Sequence, residues 1–309
     1  MVRPAWWQED PLPMESPLER RLFLQNLLSG AALGTGIALP ARAGIHLPDG
    51  ESEDLNVGTF VIPNKALQAD ENRRIKKIKS FNQDFSEDIY ISNEKAGLLF
   101  TNAKRLDQVQ RHVGYGNFNL LCFDDLIRIC RRTRGIKTLT PRDLDFFEEI
   151  FTFNAQIYGF YGEKVNRSIT DRVSRREATK VAGTGHYLYR GESLRLYQQI
   201  RREMGPDIVL TSGIRSIVKQ MHLFLNKAVQ VGGNLSRASR SLAPPGHSYH
   251  GVGDFDVGKV GFGIHNFTNR FATTMEYRKL LRLGYVKIRY TSNNPYGVRY
   301  EPWHIKVVS

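Results

Sequence analysis

Three stretches in the second half of the chain hold residues able to do chemistry together. The first runs Leu210-Thr211-Ser212-Gly213-Ile214-Arg215-Ser216, with Gln220 on the helix that follows. An apolar strand ends here, Gly213 permits a tight turn, and Arg215 stands where a helix starts. A guanidinium in that place can grip a carboxylate through two parallel hydrogen bonds, and the helix N-terminus adds positive potential. The second stretch is Pro244-Pro245-Gly246-His247-Ser248-Tyr249-His250-Gly251-Val252-Gly253-Asp254-Phe255-Asp256-Val257. On a strand, Asp254 and Asp256 share one face and Phe255 points to the other. Burying Phe255 therefore leaves both carboxylates on the open side, near His250. Neutral imidazole and carboxylate are standard ligands of zinc. The third is Tyr300-Glu301-Pro302-Trp303-His304-Ile305-Lys306-Val307. Here Trp303, Ile305 and Val307 face a core, His304 faces away, and Glu301 lies just ahead. A histidine ligand beside a glutamate that does not ligate is what a metal hydrolase needs, because the carboxylate can move the proton of an activated water.

Taken singly, each stretch has a plainer reading. Arg215 could be a surface arginine, the Asp and His residues a solvated loop, and His304 a strand histidine satisfied in the core. What must position them is a set of elements with clear local signals. A helix is expected over Phe118–Arg134, from apolar residues at helical spacing up to Gly135. Thr140-Pro141-Arg142-Asp143 is a helix start, a capping hydroxyl with proline in the first turn, and that helix is expected to reach Tyr158. Further helices are expected over Ser193–Met204, Ser216–Val231 and Thr274–Leu283. Strands are expected over Asp207–Thr211, Gly253–Val257, Tyr285–Tyr290 and Val298–Val308, with a long loop over Asn234–His250. Residues 44 to about 110 are polar and weakly periodic, and read as an extended lead-in with one or two short elements. The fold class is α+β, with a mainly helical N-terminal extension.

The three stretches, in this order, resemble the VanY-type D-alanyl-D-alanine carboxypeptidase family, whose fold is shared with hedgehog signalling domains. The shared pattern is Ser212-Gly213-Ile214-Arg215-Ser216 with Gln220, then Ser248-Tyr249-His250 with Gly253 and an aspartate, then Glu301-Pro302-Trp303-His304. The resemblance covers about residues 183 to 309. It implies a small antiparallel sheet flanked by helices, zinc held by His250, Asp256 and His304, and Glu301 as general acid/base. It implies that Arg215, with Ser212, Gln220 and Ser248, handles the substrate, a peptidoglycan stem peptide losing its terminal D-alanine. An endopeptidase or L,D-carboxypeptidase with the same zinc site, or a wall-binding module without catalysis, is also compatible. One departure stands out: the spacing from His250 to Asp256 is one residue shorter than the family's. Asp256 is taken as the ligand, with Asp254 orienting a ligand. Pairing His247 with Asp254 restores the spacing but displaces the match around Ser248.

The bulk numbers agree with a soluble protein acting on an anionic partner. The chain has 309 residues and 44 basic against 31 acidic side chains, a net charge of +13. Such an excess favours nucleic acid, acidic lipid or an anionic wall polymer. No nucleic-acid-binding motif accompanies it, and the basic residues are scattered, so nucleic acid is set aside. Cys122 and Cys130 lie too far apart on a helix for a disulfide and read as core residues. At the N-terminus, Arg20-Arg21 precedes a mildly apolar stretch, Leu27 to Leu39, too short to cross a bilayer, and then Ala41-Arg42-Ala43. This resembles a twin-arginine secretory signal cleaved after Ala43, with Met14 as a second candidate start, and predicts a periplasmic mature protein with no stable membrane insertion. The expected organisation is a signal at 1–43, a mainly helical region at 44–180 and the zinc peptidase domain at 181–309. The sequence carries no signal for an oligomeric state.

Overall fold

The computed structural model describes residues 64–307 of the chain. The twin-arginine stretch and its cleavage site lie outside the described residues. Helix α1 (Asn64–Lys79) and the 21-residue helix α2 (Asn93–Val113) occupy the region read as an extended lead-in. That expectation is corrected. Leu99, Ala103, Leu106, Val109 and Val113 recur at helical spacing and are all buried, but polar Asn102, Arg105 and Gln110 are buried on the same helix and dilute the apolar signal. Arg105 is paired with Asp143 at 3.1 Å inside this region, so the charge is satisfied there rather than in water.

Helix α3 (Phe123–Arg132) and helix α4 (Pro141–Thr152) follow. The α4 start forms as expected: Thr140 and Asp143 make a reciprocal capping box with proline in the first turn. Its end comes early. Asn154 accepts from the backbone of Gln156 and opens a separate 3-10 turn over Ala155–Tyr158. Cys122 and Cys130 are unpaired and buried, and burial pushes their thiols up to about 12 and about 11.

A hairpin of β1 (Ala178–Lys180) and β2 (Tyr187–Tyr189) leads to helix α5 (Glu192–Met204), strand β3 (Ile208–Ser212) and helix α6 (Ile217–Gln230). The segment expected as one long loop contains a short helix, α7 (Leu235–Ser239), begun by the Asn234 side chain. Then come β4 (Phe255–Lys259), helix α8 (Met275–Arg282), β5 (Lys287–Ile288) and β6 (His304–Lys306). The expected final strand is reduced to three residues, His304–Lys306, because Pro302 has no N–H to give to a ladder.

Strands β3, β4, β6 and β5 form one antiparallel sheet in the order β3-β4-β6-β5. With the helices around it, this is an α+β fold. One face of the sheet buries Ile208, Leu210, Phe255, Val257 and Ile305 with Trp303 against α5 and α8. Truncating Phe255, which is fully buried, would cost about 3–5 kcal/mol. A second core joins α2, α3 and α4 to α6 and α7, so residues from 99 to 169 pack with residues from 217 to 238.

Candidate metal centre

The register of the sheet builds the site. Ser212 pairs with Asp256, and Asp256 pairs with His304, so the three lie in a row across β3, β4 and β6. Phe255 pairs with Ile305 one residue away, and both point into the core. Strand alternation therefore turns Asp256 and His304 to the opposite face. His250 arrives from a 3-10 turn, Tyr249–Gly251, directly ahead of β4. Two glycines let the backbones close in around it. A Cβ on Gly213 would lie 2.0 Å from the carbonyl oxygen of Tyr187, and one on Gly251 would lie 2.3 Å from Asn166 Oδ1.

His250, Asp256 and His304 each offer a ligand atom, all within 4.8 Å of one another, and all three residues are buried. They are the one such group among the described residues. His250 Nδ1 lies 2.8 Å from the carbonyl oxygen of Gly213, to which it donates, so Nε2 carries the lone pair. Nε2 faces Asp256 Oδ1 at 3.2 Å. His304 Nδ1 faces the same oxygen at 3.3 Å, while its Nε2 lies 3.0 Å from Asp254 Oδ2. Asp256 Oδ2 accepts from Arg215 Nη2 at 2.6 Å, which aims Oδ1 at the two imidazoles.

These residues fit a zinc ion. His250 Nε2 and Asp256 Oδ1 are buried without a hydrogen-bond partner, an expensive arrangement unless a cation joins them. Ligands at zinc distances of about 2.0–2.1 Å in a tetrahedron stand about 3.3 Å apart, close to the 3.2 and 3.3 Å that separate Asp256 Oδ1 from the two imidazole nitrogens. Two imidazoles and one carboxylate also leave the fourth position open, as catalytic zinc sites do.

The local field favours a positive ion. Burial pushes His304 toward the neutral form. The hydrogen bonds to Asp254 and Glu301 and the charges of Asp256 and Asp254 outweigh it, raising the imidazole to about 9. For His250 burial wins and the imidazole is held below its ordinary value. Burial also opposes ionisation of Asp256, but His250, Arg215 and His304 hold it well below the carboxylate range.

Glu301 is buried beside the cluster. Its Oε2 is 3.5 Å from His304 Nδ1, and its Oε1 is 3.7 Å from Arg299 Nε. Arg215 bridges the cluster and a cleft. Its Nε donates to Ser212 Oγ at 2.9 Å and its Nη2 to Asp256. The cleft is lined by Arg215, Asn166, Asp171, Arg172, Tyr189 and Gly251 among others. Ser248 is buried at the start of the His250 turn.

Gln220 occupies a different place from the one expected. It is buried, and its amide is spent on the scaffold: Nε2 donates to the Arg215 carbonyl and to Asn166 Oδ1, and Oε1 accepts from Gly246 N. His247 packs on Phe160 and bonds the carbonyls of Gly162 and Glu163, away from Asp254. His186 lies against Asn119, outside the cluster, with burial and Arg215 pushing it down to about 4. His222 is bonded to Asp107 at 2.7 Å.

Arg289 and Asn166 escaped the sequence reading. Arg289 lies at the end of an unremarkable strand, and Asn166 sits in a region without a motif. Only the folded chain brings either to the site.

Comparison with known proteins agrees with the geometry over the same segment. Residues 190–309 match the family model VanY, D-alanyl-D-alanine carboxypeptidase. Among solved structures, the vancomycin-resistance D,D-pentapeptidase VanY of a VanB-type resistance cassette, in complex with Zn(II), is 23% identical. That match covers 47% of this chain and 86% of that one, with a TM-score of 0.33. VanYB in complex with D-alanine-D-alanine is 24% identical over 47% of this chain and 84% of that one, with a TM-score of 0.34. A search of curated proteins gives no match. The matched segment, residues 190–309, supplies every residue of the cluster and is similar to the VanY family over that length.

Proposed function

We propose that this segment is a zinc-dependent D,D-carboxypeptidase that removes the terminal D-alanine from peptidoglycan stem peptides. The observation that carries the reading is the buried cluster of His250, Asp256 and His304 with Glu301 beside it. A pure metal-binding module has no use for that extra carboxylate.

His250 Nε2, Asp256 Oδ1 and His304 Nδ1 would hold the ion. Zinc bound there supplies Lewis-acid charge for the scissile carbonyl and makes water easier to deprotonate. Glu301 takes the proton of the attacking water and passes it to the departing D-alanine amine. A guanidinium has five N–H donors, and Arg215 spends one on Ser212 and one on Asp256. Its remaining donors are available at the cleft for the substrate's terminal carboxylate or the oxygen that gains charge in the transition state. Gln220 and Asn166 act behind it, fixing the backbone that carries Arg215.

The twin-arginine stretch supports export, and a periplasmic enzyme would meet this substrate directly. Among the described residues no helix is long and apolar enough to cross a membrane. Fusing residues 1–43 to a reporter that folds only after export tests the address.

The activity is tested by incubating the protein with purified muropeptides and following mass. Loss of single alanines, abolished by a chelator and restored by Zn2+, is the expected result. Cleavage of cross-links without release of alanine would replace the carboxypeptidase with an endopeptidase. Bound zinc with no turnover of any muropeptide would overturn the catalytic reading.

A further inference from the structure

Asp254 and Arg289 have no part in the chemistry above, yet both are buried beside it, at 1% and 4% exposure. Asp254 immediately precedes β4, and Arg289 immediately follows β5. Arg289 reaches Asp254 with two donors: Nε to Oδ2, and Nη2 to Oδ1 at 3.1 Å. Oδ1 also accepts from the backbone N–H of Val307 at 2.8 Å. Oδ2 also faces His304 Nε2 at 3.0 Å. Each carboxylate oxygen is thus held from two directions, and the group cannot turn. The Arg289 guanidinium in turn lies 3.6 Å from the ring centroid of Tyr249, the residue before His250.

We propose that Asp254 and Arg289 form a positioning pair that makes Nδ1 the metal-facing nitrogen of His304 and strengthens it as a ligand. This rests on the zinc reading above. An imidazole offers a metal whichever nitrogen lacks the proton. Asp254 takes the Nε2–H, so the Nδ1 lone pair points at Asp256 Oδ1 and the cluster. A carboxylate behind an imidazole also raises its basicity as a ligand. The two histidines are therefore unequal. His250 is backed by the neutral carbonyl of Gly213, whereas His304 is backed by an anion that Arg289 locks in place. Without Arg289, each Asp254 oxygen would lose one of its two holds, and the tautomer of His304 would be less firmly set. A buried ion pair serving stability alone would not need an oxygen on the imidazole.

The test uses the full chain as wild type, Asp254→Asn and Arg289→Lys. Zinc affinity is measured by competition with a coloured chelator, ligand field by the visible spectrum of the Co2+-substituted protein, and folding by thermal melts after metal removal. The expected result is a 10- to 100-fold weaker zinc affinity in each variant, as loss of an outer partner of a ligand gives, with a shifted Co2+ spectrum. If Asp254→Asn strands the arginine and unfolds, the double variant Asp254→Asn/Arg289→Gln, neutral at both positions, takes its place. Folded variants with wild-type zinc affinity and an unchanged Co2+ spectrum would overturn the positioning role and leave the peptidase reading intact. A wild-type protein that takes up no zinc would overturn both.

Discussion

Gln220→Ala separates a residue that braces the site from one that touches substrate. The side chain is 2% exposed and makes three hydrogen bonds, at 2.9 Å to the Arg215 carbonyl, 3.2 Å to Asn166 Oδ1 and 2.8 Å from Gly246 N. They join three segments: the start of α6, the stretch around Asn166, and the turn that leads to His250. Each such bond contributes about 0.5–1.5 kcal/mol net, and a buried donor left unpaired adds to the loss. The expected destabilisation is about 3 kcal/mol. For a unit of this size each kcal/mol moves the melting point by about 2–4 °C, so Tm should fall by about 6–12 °C. Because Asp256 is aimed by Arg215, loosening the Arg215 backbone should lower kcat, with KM changing less. The assays are a thermal melt by circular dichroism and steady-state release of D-alanine from a pentapeptide. Gln220→Glu, which turns an acceptor oxygen toward the Arg215 carbonyl and Asn166 Oδ1 and buries a charge, should be at least as destabilising. A Tm within about 2 °C of wild type combined with a tenfold rise in KM would refute the bracing role. It would mean the amide faces the substrate, as the sequence alone suggests.

Glu301→Gln should lower kcat about 10²- to 10⁴-fold while zinc content, read by elemental analysis, stays at the wild-type level, because Glu301 lies outside the ligand set. Zinc lost along with activity would contradict that assignment. Gly213→Ala should destabilise the fold by about 1–3 kcal/mol or more, since the new methyl meets the Tyr187 carbonyl oxygen at 2.0 Å. Denaturant unfolding that matches wild type would show that β2 yields. At Asp88, burial favours the neutral acid, but bonds from Arg240 and Asn234 outweigh it and hold the carboxyl below its ordinary 3.8. A depressed native value means the unfolded chain binds more protons, so this stabilisation is full above the ordinary 3.8 and fades as pH falls through the native value. Asp88→Asn should be less stable than wild type at pH 7, and denaturant melts should show the gap narrowing below pH about 4. A gap that widens on acidification would exclude the pair as an acid-sensitive support.

Read alone, the sequence singled out the residues that gather in the cluster because the signals involved are short. Alternation around Phe255 puts the flanking aspartates on one face, and the same alternation around His304 is set by Trp303 and Ile305. The capping box at Thr140 needs only four consecutive residues. The tertiary structure decided the partners. Which oxygen of Asp256 meets the imidazoles depends on Arg215, 41 residues away in the chain. Which nitrogen of His304 is presented depends on Asp254, 50 residues away. Gln220 reads as a substrate contact from its place after Arg215, but Asn166, 54 residues earlier, claims its amide. Helix α2 went unread because its buried face carries Asn102, Arg105 and Gln110, whose burial is tolerable only with partners such as Asp143 supplied from elsewhere. Backbone periodicity and capping act within a turn or a strand and so are written locally. Hydrogen-bond partners at a site are fixed by sheet register and helix packing, which exist only once the chain has folded.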